Sequence, residues 1–164
     1  GPMTTPTTLL HPPELHYLMD HQVWARLEDD GTATVGITAL GIRLSGEVYM
    51  CRPKRVGTQL AQGGTVAVVE LAKSVVAVKS PVSGVVVAVN EALEDRPDLV
   101  HRDPYGAGWI ARLELSDWAA DQAALVTGAA VAPAMAHHAW LNRQELVPAT
   151  SGVGTPPAQD GSAP

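Results

Sequence analysis

The chain has 164 residues, which is enough for one ordinary domain and its tails. Its formal net charge of −6 disfavours binding to nucleic acid or to an anionic membrane surface, because both need positive patches. The sequence contains no apolar stretch of the roughly 18 residues that a membrane span requires, and its histidines show no zinc-site spacing. Its single cysteine, Cys51, is consistent with a cytoplasmic location.

Both ends of the chain are predicted to be disordered. Residues 1–13 are rich in Thr and Pro, and Gly1-Pro2 before Met3 is interpreted as a remnant of cloning. Residues 148–164 contain no large apolar side chain beyond Val153. Between these ends we predict a domain over 14–118 and a helical segment over 119–147.

The first half of the domain is predicted to be mostly β. The turn signal Asp29-Asp30-Gly31 precedes an alternating run over 32–37, which is typical of a half-buried strand. Residues 40–44 indicate a short helix or turn, and residues 46–50 indicate another strand.

Two strongly β-forming runs then flank a single lysine. Residues 66–71 and 74–78 are rich in valine, so we expect a tight hairpin with Lys73 at its tip. The turn Pro81-Val82-Ser83-Gly84 opens a third valine-rich run. A lysine at such a tip is well placed for covalent modification, because modification there disturbs no buried group.

The second half adds strands and helices. Residues 85–90 suit a strand buried on both faces, residues 91–100 are compatible with a helix, and residues 108–115 alternate as a strand. Residues 118–146 are Ala-rich and mostly helical, with breaks near Gly128 and Pro133. Short strands with frequent turn signals predict a mainly β sandwich or barrel with flanking helices.

Five segments in this order resemble the H protein of the glycine cleavage system, and the resemblance covers about residues 20–118. The segments are Val35-Gly36-Ile37-Thr38, Val69-Glu70-Leu71-Ala72-Lys73-Ser74, Ser80-Pro81-Val82-Ser83-Gly84, Asn90-Glu91-Ala92-Leu93-Glu94 and Asp103-Pro104-Tyr105-Gly106-Ala107-Gly108-Trp109. The resemblance implies a barrel-sandwich hybrid of the lipoyl-domain type. It also implies a carrier rather than an enzyme, with lipoate in amide linkage on Lys73.

The sequence offers two alternatives to this attachment. Lys79 is the rival acceptor, but it falls in the descending strand rather than at the tip. Biotin is the rival cofactor, but biotinyl lysines typically lie between two methionines, whereas Lys73 has Ala72 and Ser74. The resemblance further implies that Glu70 and Gly84, which flank the tip, serve recognition by the lipoylation enzymes.

The chain departs from the family where the loaded arm folds back into a cleft. The family's glutamate in a His-Glu-Trp-Val segment corresponds to Gln22, and its Ser-Asp pair after the lysine corresponds to Val76-Ala77. Carboxylates stabilise an amine cargo by charge-assisted hydrogen bonds worth about 1.5–3 kcal/mol each. With both acids lost, we expect Gln22, Val76 and Ala77 to line a cleft for cargo that is not an amine.

The segments at 21–31, 49–54 and 70–74 resemble the lipoate-binding proteins of the sulfur-oxidising heterodisulfide-reductase-like system. This resemblance implies a carrier of sulfur intermediates in cytoplasmic sulfur oxidation, with that complex and a lipoate ligase as partners. A small acidic carrier is most useful as a monomer, so we expect a monomer. The alternative is the aminomethyl carrier of the glycine cleavage system, and the third interpretation is an unmodified interaction module. Cys51 is either a small half-buried residue or a thiol that exchanges with the lipoyl group.

Overall fold

The computed structural model describes residues 9–146, and within that range nine strands form two antiparallel sheets. The larger sheet has the order β1-β2-β3-β9-β8-β5 and the smaller has the order β4-β6-β7. The strands are β1 His16–Leu18, β2 Val23–Leu27, β3 Thr32–Ile37, β4 Met50–Pro53, β5 Gln59–Leu60, β6 Thr65–Glu70, β7 Val75–Lys79, β8 Gly84–Val89 and β9 Ala111–Leu115. This architecture confirms the mainly β prediction.

The main hydrophobic core lies between the two sheets, because alternate strand residues turn inward. Val23 and Ala25 contribute from β2, and Cys51, Val69 and Val78 contribute from the smaller sheet. All five side chains are buried. The smaller sheet is therefore held rigidly against the larger one by apolar packing.

A second cluster covers the opposite face of β2. Trp24 is fully buried there, and its indole Nε1 donates to the carbonyls of Ile37 and Pro104, both at 3.2 Å. Gly36 lies directly opposite Trp24, and a Cβ at that position would come within 2.6 Å of the indole ring. A glycine is therefore required at position 36 for the tryptophan to pack flat on β3.

Helices close the ends of the sandwich: α1 spans Ala39–Ser45, α2 Ala92–Asp95, α3 Leu99–Arg102, α4 Trp118–Asp121 and α5 Val131–Leu141. The helix predicted over 91–100 is instead two single turns, α2 and α3. Pro97 separates them, since proline lacks a backbone N–H and restricts the preceding residue. The strand predicted over 46–50 lies later, at β4.

Part of the predicted N-terminal disorder is wrong. Residues 9–13 pack against the domain: His11 Nδ1 lies 2.7 Å from the Tyr105 hydroxyl, and Pro12 accepts a hydrogen bond from the Tyr17 hydroxyl at 2.7 Å. Leu9 packs against the second cluster. These contacts with distant residues hold residues 9–13 on the domain, which the local composition does not predict. Residues 1–8 and the predicted tail at 148–164 lie outside the described residues.

The predicted C-terminal helical segment is present up to residue 146. Residues 125–127 interrupt it, where Val126 forms a bridge to Tyr17 of β1. Pro133 does not break the helix, because it lies in the first turn of α5, where no intrahelical N–H bond is lost. Val131 and Met135 of α5 complete the second cluster. The segment thus packs on the 14–118 domain.

Gly84 lies between two strands, pairing with Leu60 of β5 and Leu115 of β9. A Cβ at this position would lie 2.2 Å from the Glu114 carbonyl oxygen, so the strands must separate to admit one. We expect Gly84→Ala to lower the free energy of unfolding by about 1–3 kcal/mol. Urea denaturation measures this.

Val87→Ala is the matched control, because Val87 lies on the same strand and is 40% exposed. We expect this control to cost about 0.5 kcal/mol or less. An unchanged stability of Gly84→Ala would contradict the close approach of β8 and β9.

Candidate functional site

Lys73 lies at the tip of the β6–β7 hairpin, as predicted. Glu70 and Val75 are the last paired residues, and the Leu71 amide donates to the Ser74 carbonyl at 2.8 Å. Ala72 and Lys73 form the turn itself. Gln22 is the only non-glycine residue with positive φ in the described part of the chain, so this turn is not of the primed types that hairpins usually favour.

The environment of Lys73 fits a lysine that carries a covalent group. Its side chain is exposed, and its neighbours Ala72 and Ser74 are small and exposed as well. Within residues 9–146 its amine forms no hydrogen bond or ion pair that modification would remove. An amide at Nζ would therefore cost the folded state nothing in lost contacts. Lys79, the rival acceptor, is half-buried at the far end of β7.

The outward face of the smaller sheet leads directly to the tip. One row of paired residues across the sheet is Arg52, Val68 and Ala77, and the next row towards the tip is Met50, Glu70 and Val75. Val75 on this face is 65% exposed, and Val76, whose row with Cys51 and Val69 lies on the opposite side, is still 43% exposed. The residues beside the lysine on β7 are therefore apolar and open to solvent.

Gln22 is not part of this exposed surface. It is 5% exposed, and it follows the 3₁₀ turn Met19–His21 in a left-handed conformation. Its Oε1 accepts from the Thr38 hydroxyl at 2.6 Å, and its Nε2 donates to the Met19 carbonyl at 2.8 Å. These hydrogen bonds disfavour Gln22 as a direct contact of a mobile arm. The cleft role of Val76 and Ala77 stays a prediction.

The two residues predicted to serve lipoylation lie on different elements. Glu70 is exposed at the base of the hairpin, three residues before Lys73. Gly84 is buried between strands, where its missing side chain already has a packing role. Recognition by a modifying enzyme stays a prediction for both residues. An enzyme can contact the exposed Glu70 directly, whereas Gly84 is buried.

Cys51 turns into the core from β4. It is 3% exposed, and burial raises the pKa of its thiol from 9.0 to about 12. The thiolate is the form that exchanges with disulfides, so at neutral pH this residue is a poor exchange partner. The structure thus favours the packing role that the sequence left open.

Two further observations limit the chemistry of the described residues. Among residues 9–146 no three His, Cys, Asp or Glu side chains lie close enough to hold a metal ion together. No helix in that range is long and apolar enough to cross a membrane.

Comparison with known proteins then identifies the family. The family model described as "Glycine cleavage H-protein" matches residues 15–138. The chain belongs to the glycine cleavage H-protein family. Members of this family carry lipoate covalently on a lysine and are not themselves catalytic, so the predicted class of lipoyl carrier is confirmed.

Individual relatives agree with this family. The glycine cleavage system H protein of Psychrobacter cryohalolentis is 47% identical over 116 residues, which covers 71% of this chain and 90% of the relative. The Mycobacterium avium protein of the same name is 45% identical over 70% of this chain and 86% of the relative. Glycine cleavage system H protein 2 of Aquifex aeolicus is 41% identical over 71% of this chain and 73% of the relative.

A solved structure supports the fold assignment. The crystal structure of the H protein from Mycobacterium marinum superposes with a TM-score of 0.62 at 26% identity, covering 81% of this chain and 99% of that chain. The expected H-protein type of barrel-sandwich hybrid is thereby confirmed. The closer likeness to sulfur-oxidation carriers stays a prediction.

The buried thiol generates a pH prediction. The unfolded chain loses the Cys51 proton near pH 9.0 and the folded chain near 12, so the folded state binds more protons between these values. The contribution of Cys51 to the free energy of unfolding is therefore fully present below pH 9 and is lost as the pH rises towards 12. We expect Cys51→Ala to reduce this fall by about 1.4 kcal/mol per pH unit at most.

Urea denaturation at pH 8, 9 and 10 measures that difference. Burial also raises the pKa of Tyr105 to about 12, so some alkaline loss persists in the variant. Parallel pH profiles for the two proteins would contradict a buried thiol.

Proposed function

We propose that this protein carries lipoate in amide linkage on Nζ of Lys73 and passes cargo on that arm between partner enzymes. The observation that carries the proposal is the solvent-exposed Lys73 at the hairpin tip, in a chain of the H-protein family. When bound, lipoate supplies a disulfide that is reduced to two thiols and can hold a transferable group. The polypeptide supplies the rigid post and the surface that partners meet.

The attachment site is tested by substitution. Incubation with a lipoate ligase, lipoate and ATP should add one lipoyl group to the parent chain and to Lys79→Arg, and none to Lys73→Arg. Arginine keeps the charge at either position but has no acylable amine. Intact mass, followed by mass spectrometry of the peptide around position 73, measures the outcome. A lipoyl group on Lys73→Arg would reject the assignment.

The glycine cleavage system is the first candidate for the setting of this carrier. The relatives from Psychrobacter cryohalolentis, Mycobacterium avium and Aquifex aeolicus all bear the name of that system. Under this candidate the cargo is an aminomethyl group, and the partners are the other glycine cleavage enzymes together with the lipoylation enzymes. The comparisons support this candidate better than any other.

A second candidate is favoured by specific side chains. The positions that correspond to the family's Ser-Asp pair are Val76 and Ala77, and both are exposed next to Lys73. The position that corresponds to its glutamate is Gln22, which is buried and already hydrogen-bonded. Within the smaller sheet, Glu70 is the only carboxylate. An amine cargo would thus lose most of the acidic partners that stabilise it.

Sulfur cargo tolerates such surroundings better, because thiols and persulfides are polarisable and need no carboxylate. Under this candidate the arm carries sulfur intermediates to a heterodisulfide-reductase-like complex in the cytoplasm, and the chain acts as a monomer. The support comes from the substitutions at Val76, Ala77 and Gln22, together with the segment resemblance at 21–31, 49–54 and 70–74.

The two candidates predict different rates at which glycine decarboxylase loads the lipoyl arm with an aminomethyl group. Lipoylated parent, its Val76→Ser/Ala77→Asp variant and the lipoylated Psychrobacter cryohalolentis H protein are each incubated with glycine decarboxylase and labelled glycine. If the cargo is aminomethyl, the parent and the Psychrobacter protein should load at similar rates. If the cargo is sulfur, the parent should load at least about tenfold more slowly, and the variant should recover part of the rate.

Exposure of the lipoylated parent to a sulfane-sulfur donor supplies the complementary measurement. A mass increase on the peptide around Lys73 is expected only if the arm takes up sulfur, and Lys73→Arg is the control that lacks the arm. Rapid aminomethyl loading without sulfur uptake would exclude the second candidate.

A further inference from the structure

Positive charge is concentrated in one part of this acidic chain. Residues 48–90 contain five basic side chains and one acidic side chain, whereas the other residues contain six basic and sixteen acidic. All three lysines, Lys54, Lys73 and Lys79, lie in the basic part. Residues 48–90 therefore carry a net positive charge, although the whole chain has a net charge of −6.

This segment builds the smaller sheet, and strand alternation sorts its side chains. Cys51 and Val69 turn into the core, so their neighbours Arg52 and Glu70 turn outward. Beyond β4 the Lys54 amide donates to the Val66 carbonyl at 2.8 Å, which continues the ladder by one residue. Strand alternation then places Lys54 on the side of Arg52, and its side chain is exposed. We call the outward surface of Met50, Arg52, Lys54, Val68, Glu70, Val75, Ala77 and Lys79 the basic face.

The charges of the basic face are available to a partner. Arg52 and Lys54 are exposed, and within residues 9–146 neither forms an ion pair. Among the described residues, the hydrogen-bond partner of the Arg52 guanidinium is the Met50 sulfur, at 2.9 Å. Val75, 65% exposed, adds an apolar spot beside Lys73. Val75 pairs with Glu70, and the basic side chains lie in the neighbouring rows and at the tip. A face with an excess of positive charge and one apolar spot is suited to an acidic protein surface that also offers an apolar contact.

We propose that the basic face is the docking surface for the enzyme that acylates Lys73, and that this enzyme meets it with carboxylates. The inference rests on the proposed function. Partners of the finished carrier can reach the end of a long arm at a distance from the sheet. The acylating enzyme has no arm to use, so its active site must reach Nζ of Lys73 itself and cover the adjoining surface.

The chemical step sets this requirement. The neutral amine of Lys73 attacks the carbonyl carbon of an activated lipoate, such as its acyl adenylate made from ATP. An amide C–N bond forms, the C–O bond to the leaving phosphate of AMP breaks, and the amine loses a proton to solvent. Reacting atoms must approach within about 3–3.5 Å, which brings the enzyme into contact with Val75 and Glu70 beside the tip.

Charges at the rim of an interface act mainly on the association rate and on its dependence on salt. The test therefore measures kcat/KM for lipoylation by a purified bacterial lipoate ligase that modifies the parent chain, at 0.05 M and 0.5 M NaCl. We expect Arg52→Glu/Lys54→Glu to lower kcat/KM about tenfold at low salt and about twofold or less at high salt. Arg52→Gln/Lys54→Gln should give an intermediate loss.

Arg43→Glu/Arg143→Glu is the matched control. Both arginines are exposed, lie outside the basic face and produce the same change in net charge. This control should keep kcat/KM within about twofold of the parent. The melting temperature of each variant is measured first, so that a loss of rate in a protein with parental stability reports docking.

Three results would overturn the docking proposal: equal losses in the two charge-reversed variants, no loss in Arg52→Glu/Lys54→Glu, or a loss that persists at high salt. Each of these leaves lipoylation of the parent intact, so each is distinct from failure of the proposed function. Failure of that function would instead appear as a parent chain that no lipoate ligase modifies at Lys73.

Discussion

The pairing of β6 with β7 is the constraint on which the site depends. The hairpin ladder runs from Thr65 to Glu70 on one strand and from Val75 to Lys79 on the other, and the Leu71–Ser74 hydrogen bond extends it, so only Ala72 and Lys73 remain for the turn. Val69 and Val78 anchor the same strands in the core between the sheets. A tip that is short and anchored in this way holds Lys73 away from the protein while limiting the motion of its backbone. Mobility is thereby left to the side chain and to what it carries.

A carrier of this kind separates scaffold from chemistry. The buried residues, from the valines of the sandwich to Trp24 against Gly36, hold the strands that place the exposed amine of Lys73 at the hairpin tip. The described residues accordingly bring together no metal-binding cluster, and the cysteine is buried with a raised pKa rather than activated. Reactivity belongs to the attached group, and the polypeptide determines which enzymes can approach it. Selectivity must then lie in the surface around the tip.

That surface is where the sequence predicts that this chain departs from its family. Identities of 41–47% with curated H proteins establish the family, the fold and the carrier role. The proposed choice of cargo rests on a few side chains, and an overall identity is insensitive to them. One of these side chains, Gln22, lies in a buried network with Thr38 and Met19, away from the exposed surface beside Lys73.

The sequence alone determined the strands around Lys73 and the hairpin that has this lysine at its tip, because valine-rich alternation and the family segments are local signals. It also predicted the mainly β architecture. It placed the strand that contains Cys51 four residues too early, because strand limits depend on which neighbours pair. It also predicted one helix over 91–100, where Pro97 separates α2 from α3. It assigned residues 9–13 to disorder. In the structure His11 lies within hydrogen-bond distance of Tyr105, which is 94 residues away in the sequence, and Pro12 accepts a hydrogen bond from Tyr17, whose position is set by the fold.

Only the tertiary structure decided which side chains share a surface. The burial of Gln22 and Cys51, the close approach that requires Gly84, and the row that aligns Arg52 with Ala77 all depend on contacts between segments far apart in the chain. Local pattern specifies an element and its two faces. Long-range packing chooses which face turns towards the core, and that choice separates the residues a partner can touch from those it cannot.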